Sequence, residues 1–215
     1  MTGQSQAERI AHLKRTELLD AAVDELVENG WRGLQMQNVA KRVGVSRQTV
    51  YNTFNGRDGL AAALVEHLTD SFLDGFDAAF AAAEQPAGRW EAGVRYLLRR
   101  ASDDLALRAM LGLDAQTQFL GLLTSSSAPI VVRARQRIPA TALRYQPELD
   151  IQRLTPVAEV LARLTLSEIV QPVGELDAAV STVTQMVTGF LGGGGSAPTG
   201  AAGPSAGSTL SCSAK

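Results

Sequence analysis

The 215-residue sequence predicts an all-α protein, in which a head of three short helices is joined by a long fourth helix to a larger helical domain. Apolar residues recur three and four positions apart along most of the chain, which is the spacing of amphipathic helices. Glycine and proline interrupt these patterns where helices are expected to end. No segment of useful length alternates apolar with polar residues, so strands are not expected.

The first predicted helix runs from Arg9 to Glu28 and stops at Asn29-Gly30, because glycine readily ends a helix. Its apolar residues are Leu19, Ala22, Val23, Leu26 and Val27. These positions share one helix face, which would pack against the rest of the head.

Residues 34–60 contain two shorter helical patterns on either side of Gly44. Their inner faces are apolar and consist of Val39, Ala40, Val43, Val50 and Phe54. Ser46 is placed to cap the second helix by accepting a backbone N–H near Thr49. The outer face of that helix is then polar, with Arg47, Gln48, Thr49, Tyr51 and Asn52. Two short helices about a glycine turn predict a helix-turn-helix that reads DNA.

The distribution of charge supports this interpretation. The whole chain has a net charge of −2, but residues 29–57 contain five basic residues and no acidic residue. The five are Arg32, Lys41, Arg42, Arg47 and Arg57. A local positive patch is typical of contact with a phosphate backbone. A solvated basic face is the alternative, and the coincidence of the patch with the helix-turn-helix favours DNA.

Residues 9–65 resemble the N-terminal signature of the TetR/AcrR family of transcriptional regulators. The matching residues are Asn29-Gly30-Trp31, Ala40, Gly44-Val45-Ser46, Thr49-Val50-Tyr51, Phe54 and Arg57. The resemblance implies a regulator that binds a palindromic, double-stranded DNA operator as a homodimer. Thr53 and Arg57 stand where many members carry a phosphate-contacting histidine and a lysine.

The candidate DNA-binding residues combine the motif with the patch, and they are Lys41, Ser46, Arg47, Gln48, Thr49, Tyr51, Asn52, Thr53 and Arg57. By resemblance, Tyr51 contacts a phosphate. Gln48, Thr49 and Asn52 are candidates for base edges, because Gln and Asn can bond bidentately to adenine. Arg47 can bond to guanine or hold a phosphate.

The long fourth helix is predicted from Asp58 to about Ala83, where Gln85-Pro86 breaks it. Further helical patterns cover Arg89–Leu105, Leu107–Leu123, Ala128–Arg144, Ile151–Ile169 and Leu176–Phe190. Their apolar stripes exceed what a three-helix head can cover, so a second, helical core is expected.

The resemblance implies that this second domain holds an inducer pocket. A mainly aliphatic and aromatic lining favours a small apolar ligand such as a long-chain fatty acid, an ester or an alkane. The candidate ligand-binding residues are Phe72, Phe76, Trp90, Val94, Leu97, Met110, Gln116, Phe119, Leu122 and Leu123. Candidate anchors for a head group are Gln116, Thr117, Gln118, Arg95 and Arg99, with Arg133 and Arg137 as weaker alternatives. For any single apolar residue, ordinary packing is the alternative.

By resemblance, the last two helices should pair with those of a second copy. Their apolar residues are Val157, Val160, Leu161, Leu164, Leu166, Leu176, Ala179, Val180, Val183, Val187 and Phe190. A dimer spaces two recognition helices about 34 to 36 Å apart, which matches one DNA turn. A ligand that tilts the long fourth helix would spoil this spacing and relieve repression.

The expected domains are 1–57 for DNA binding, 58–191 for ligand binding and dimerisation, and 192–215 as a disordered Gly/Ala/Ser/Pro tail. The absence of an apolar leader or membrane span, and the single Cys212, favour a cytoplasmic protein that does not bind membranes.

No catalytic site, cofactor or metal is expected. The chain has two histidines, no Cys/His metal spacing, no GxSxG and no phosphate-binding glycine loop. Two alternatives to a ligand-released repressor stay open. One is an activator or ligand-independent DNA-binding regulator, and the other is a lipid-binding helical protein whose motif serves only packing.

Overall fold

A computed structural model describes residues 6–112, 116–171 and 174–192, and this part of the chain is helical without strands. The helices are α1 (Gln6–Gly33), α2 (Met36–Val43), α3 (Arg47–Phe54), α4 (Arg57–Ala82), α5 (Pro86–Asp103), α6 (Leu105–Leu111), α7 (Gln116–Leu123), α8 (Ala128–Tyr145), α9 (Ile151–Val170) and α10 (Leu176–Gly192). The all-α prediction is confirmed. Of the predicted tail, 192–215, the structure places Gly192 at the end of α10, and the residues from 193 onward lie outside the described part. None of the described helices is long and apolar enough to span a membrane.

Helices α1 to α3 form the head around an apolar core. Its buried members include Leu18, Leu26, Trp31, Leu34, Val39, Ala40, Val50 and Phe54. Gly30 interrupts α1 with a φ of 69°, where the sequence predicts a helix stop. One further turn then follows, and it carries Trp31 into the core.

A buried carboxylate ties α1 to α2. Glu25 is only 2% exposed, and its oxygens accept bonds from Asn38 Nδ2 at 2.6 Å and Arg42 Nε at 3.3 Å. A buried charge is costly unless it is paired and hydrogen-bonded, and both conditions are met here. These bonds therefore hold the first helix of the motif against the rest of the head.

Two predicted boundaries in the larger domain are wrong. The pattern from Leu107 to Leu123 is two helices, because Gly112 leaves the helical conformation and ends α6. The fifth helix begins at Pro86, three residues earlier than predicted, because proline is accommodated in the first helical turn, where its missing N–H costs no bond.

The crossing of α4 and α5 is built on aromatic rings. Phe76, Phe80 and Trp90 are buried, with ring centroids 5.6 Å apart for Phe76–Phe80 and 5.2 Å for Phe80–Trp90. The second pair meets edge to face at 87°, a favoured geometry for aromatic rings. This cluster fixes the far half of α4 in the body of the protein.

A second face of α4 carries a row of carboxylates that faces α8, formed by Glu66, Asp70, Asp74 and Asp77. Arg133 pairs with the first two at 3.0 and 3.2 Å. Arg137 pairs with the last two and lies 2.7 Å from Asp74. Exposed ion pairs contribute only about 0–1 kcal/mol each, so the row serves mainly to align α8 along α4.

We expect Phe76→Ala to lower the free energy of unfolding by about 3–5 kcal/mol, because it removes a fully buried ring from the aromatic cluster. Urea denaturation followed by circular dichroism measures the change. Val132→Ala, at an exposed site on α8, is the control and should change stability by less than about 0.5 kcal/mol. Equal losses in both variants would contradict the importance of the cluster.

Candidate nucleic-acid interface and ligand cavity

The turn and cap before α3 have the predicted geometry. Gly44 follows α2 in the left-handed region, with a φ of 72° that favours glycine. Ser46 is extended, and its Oγ accepts the backbone N–H of Thr49 at 3.1 Å. This side-chain cap satisfies a backbone donor that the first helical turn would otherwise leave unpaired.

The outer face of α3 is polar and open to solvent. Arg47, Gln48, Thr49, Tyr51 and Asn52 are all exposed, whereas Val50 and Phe54 are buried. Gln48 Nε2 donates to Asn52 Oδ1 at 2.7 Å, so the two amides form one hydrogen-bonding surface. Their remaining donors and acceptors face outward, as contact with base edges requires.

Three other DNA-binding candidates are placed differently from one another. Lys41 is exposed on α2. Thr53 is half-buried, and its hydroxyl donates to the carbonyl of Thr49 at 2.7 Å. The Thr53 carbonyl accepts a bond from Arg15 of α1 at 3.2 Å. Thr53 is therefore engaged within the head.

Arg57 is also engaged within the head. Its guanidinium lies 4.4 Å from the centroid of the Trp31 ring and donates to the carbonyls of Trp31 and, at 3.2 Å, Leu34. Arg57 also lines a groove of about 430 Å³ with Arg47 and Tyr51. A phosphate in this groove would have to share the guanidinium with those carbonyls, so the predicted DNA contact stays a prediction.

The basic patch is weaker than the sequence count indicates. Arg42 pairs with both Glu25 and Glu28, two carboxylates that lie just before the counted segment. Hydrogen bonding to Glu28 is the largest effect on Arg42 and raises its pKa above the ordinary value. Lys41 and Arg47 are exposed and remain the clearest sources of positive charge beside α3.

A narrow apolar cavity of about 60 Å³ lies between α4 and α9. Its lining consists of Val65, Leu68, Thr69, Phe72, Leu73, Leu97, Leu107, Met110, Leu123, Ile130, Ala134, Ile138, Ala162, Thr165, Leu166 and Ile169. Thr69 and Thr165 are the two polar members, and Thr69 Oγ1 already donates to the Val65 carbonyl at 2.8 Å. Because none of the lining residues that the structure describes carries a charge, the cavity suits an apolar group.

Four of the predicted ligand-binding residues line this cavity: Phe72, Leu97, Met110 and Leu123. The others lie elsewhere. Phe76 and Trp90 belong to the aromatic cluster, Val94 lines a smaller gap next to α10, Phe119 packs on Trp31, and Leu122 is partly buried against the core. The side chain of Gln116 lies outside the described part of the structure. An apolar stripe identifies the inward face of a helix, but it does not locate the void.

The predicted head-group anchors that the structure describes do not line the cavity. Arg95 pairs with Glu91 at 3.0 Å and with Asp177. Arg133 and Arg137 are held by the carboxylates of α4. Gln118 Nε2 donates to Asp58 Oδ1 at 3.3 Å.

Within the described residues, no group of His, Cys, Asp or Glu could hold a metal ion.

Helices α9 and α10 present an apolar groove of about 320 Å³ at the surface, lined by Pro156, Val157, Val160, Met186, Val187 and Phe190. Val160, Met186 and Phe190 are about half exposed. Leu161, Leu166 and Val180, which the sequence assigned to a dimer interface, are instead buried within the protomer. The exposed apolar face is therefore narrower than predicted.

These features define a helix-turn-helix regulator with a separate helical domain, and comparison with known families agrees. The family described as "Bacterial regulatory proteins, tetR family" matches residues 18–64. The C-terminal domain described as "Bacterial Tetracyclin repressor, C-terminal domain" matches residues 87–189. The chain belongs to the TetR family of transcriptional regulators, which are not enzymes.

Individual relatives extend the match over most of the chain. The transcriptional regulator AlkX of Mycobacterium tuberculosis is 31% identical over 189 residues, which span 86% of this chain and 88% of that protein. The crystal structure of AlkX from a Dietzia species, described as a TetR family repressor implicated in biodegradation of n-alkanes, has a TM-score of 0.73 and 27% identity. It covers 83% of this chain and 95% of its own. The repressor QsdR of R. erythropolis shares the fold, with a TM-score of 0.61, 19% identity, and coverage of 84% and 95%.

Proposed function

We propose that the protein is a cytoplasmic transcriptional repressor that binds a palindromic operator as a homodimer and leaves it when a fatty-acid- or alkane-like ligand binds. The observation that carries the proposal is the course of α4. This helix begins against the DNA-binding head at Arg57 and then forms one wall of the uncharged cavity through Val65, Leu68 and Phe72. An apolar ligand is also supported by the relative AlkX from a Dietzia species, which is described as implicated in the biodegradation of n-alkanes.

In this proposal the exposed face of α3 enters the major groove. Gln48, Thr49 and Asn52 reach base edges, while Tyr51 contacts a phosphate. Arg47 and Lys41 supply the positive charge. Ser46 caps the helix, and the Thr53 carbonyl accepts the bond from Arg15 that ties α3 to α1.

The exposed groove of α9 and α10 supports dimerisation. Large apolar side chains such as Val160, Met186 and Phe190 are costly to leave in water, and a second copy would cover them. A twofold dimer would present two α3 helices to the two half-sites of a palindrome.

The small size of the cavity supports release by ligand. At about 60 Å³ it is well below the roughly 300–1,000 Å³ typical of ligand pockets, so a bound chain must push its walls apart. Two walls reach the head. One is α4, and the other is α7, where Leu123 lines the cavity and Phe119, one turn earlier, packs 4.8 Å from Trp31. A ligand that favours the expanded state thereby favours a different position of the head.

An activator or a ligand-independent regulator is the alternative function. An activator would also bind DNA, but ligand would strengthen this binding or leave it unchanged. A ligand-independent regulator would not respond to any aliphatic compound.

We expect Tyr51→Phe to weaken binding to all DNA duplexes by a similar factor, because a phosphate contact carries no sequence information. Gln48→Ala should instead cost about 1–3 kcal/mol at one base pair and relax the preference there. Titration of both variants on a selected duplex and on single-base variants of it, at fixed salt, separates the two effects. A uniform effect of Gln48→Ala would contradict its assignment to a base edge.

We expect Val160→Asp to convert the dimer to a monomer, because it places a charge in the apolar groove of α9 and α10. Sedimentation velocity measures the oligomeric state, and the variant should also lose affinity for the full palindrome. Val132→Asp is the matched control, since Val132 is exposed on α8 outside this groove. A Val160→Asp protein that stays dimeric would place the interface elsewhere.

We expect Ala134→Leu to bind operator but to resist release by ligand, because the larger side chain fills part of the cavity. Anisotropy of a labelled duplex, titrated with dodecanoate, methyl dodecanoate and dodecane, measures release. Ala140→Leu, at an exposed site on α8, should respond like the unaltered protein. If none of these compounds releases the unaltered protein, the ligand part of the proposal is wrong; if they release Ala134→Leu equally, the cavity is not their site.

A further inference from the structure

We propose that the ligand is a single-chain amphiphile whose carboxylate head group binds Arg163 in a polar vestibule beside the apolar cavity. The inference rests on the proposed function, because it names the chemistry of the ligand that would release DNA. It differs from the anchors that the sequence indicates, none of which is seen to border the cavity.

The vestibule is a surface recess of about 330 Å³ between α7 and α9. Its lining consists of Leu123, Thr124, Ser127, Arg163, Leu166, Ser167, Val170 and Gln171. Leu123 and Leu166 also line the apolar cavity, so one side of each leucine faces each space. A chain that separates these two side chains would pass from the vestibule into the cavity.

The two spaces differ sharply in polarity. Among the described lining residues, the cavity offers two threonine hydroxyls, whereas the vestibule offers two serines, a threonine, a glutamine and an arginine. A carboxylate inside the cavity would lack a counter-charge and would cost several kcal/mol. The polarity difference therefore orients an amphiphile with its chain inward and its head outward.

Arg163 is the one charged residue among the described residues that line the vestibule. Its Nε and one terminal nitrogen donate to Glu159, at 3.1 and 2.8 Å. An arginine has five N–H donors, so others remain for a second carboxylate.

A second arginine keeps the site positive. Arg135 of α8 lies 3.6 Å from the other oxygen of Glu159, so two guanidinium groups share one carboxylate. The group of three side chains carries a net charge of +1. An incoming carboxylate would balance it through the bidentate geometry that arginine favours.

The hydroxyls of the vestibule can add further bonds. Ser127 is 8% exposed, and its Oγ donates to the Thr124 carbonyl at 2.8 Å, which leaves its lone pairs to accept a bond from a water beside the head group. Ser167 lies one turn after Arg163 on α9, so the two side chains share one helix face. A hydroxyl and a guanidinium on one face make a compact site for a carboxylate.

The test measures dodecanoate, methyl dodecanoate and dodecylammonium on two full-length proteins, the unaltered one and Arg163→Gln. Binding is measured by calorimetric titration, and release of DNA by the anisotropy of a labelled duplex. We expect Arg163→Gln to weaken dodecanoate binding about tenfold or more, as loss of a charge-assisted bond implies, and to leave methyl dodecanoate unchanged. Dodecylammonium should not bind the unaltered protein, because Arg163 repels it. Arg144→Gln is the matched control, since Arg144 is exposed on α8 and does not line the vestibule.

The outcomes separate this inference from the proposed function. The head-group site is wrong if dodecanoate and its methyl ester bind the unaltered protein with equal affinity. It is also wrong if Arg163→Gln loses affinity for the ester as well as for dodecanoate. Either result would still allow an apolar ligand in the cavity. Failure of all three compounds to bind the unaltered protein would overturn both. Equal thermal unfolding midpoints for the two glutamine variants confirm that any difference comes from binding rather than folding.

Discussion

The arrangement of the DNA-binding head and the larger helical domain, or body, depends on the contacts of the Trp31 ring. On one side the Arg57 guanidinium lies 4.4 Å from its ring, and on another the Phe119 ring meets it edge to face at 4.8 Å. The indole thus joins the last turn of α1, the first residue of α4 and the middle of α7. A cation–π contact and an aromatic pair each contribute about 0.5–2 kcal/mol, enough to hold one arrangement but not to prevent another.

That balance is what a regulated protein requires. A cavity too small for its proposed ligand stores no strain by itself, but filling it must displace close-packed side chains, since protein interiors resist compression. Displacement of Leu123 moves α7, and displacement of Phe72 moves α4. Both helices contact Trp31, α4 through its first residue and α7 through its middle, so two routes converge on the same weak junction. The proposed release then needs only a shift between two packings of one aromatic group.

The parts of the head that local chemistry determines could be predicted from sequence. The Ser46 cap, the turn at Gly44 and the buried Val50 each depend on residues within a few positions. Interactions between distant segments could not be predicted in this way. Arg57 bonds to carbonyls more than twenty positions away. Glu25 lies outside the counted basic segment and pairs with Arg42, which neutralises part of the charge of that segment. The position of the cavity is harder still to predict, because an apolar stripe has the same sequence pattern whether it packs against a neighbouring helix or lines a void.

Helix α9 connects the two proposed binding tasks of the body. Its inner face lines the cavity through Ala162, Thr165 and Ile169, while Pro156 and Val160 lie in the exposed groove proposed to join two copies. None of the described residues that line the groove carries a charge. A ligand that moved the inner face of α9 would therefore also move the surface that spaces the two heads. The same helix would then carry the effect of ligand within each protomer and between protomers, and the proposed fit to a palindrome would depend on both.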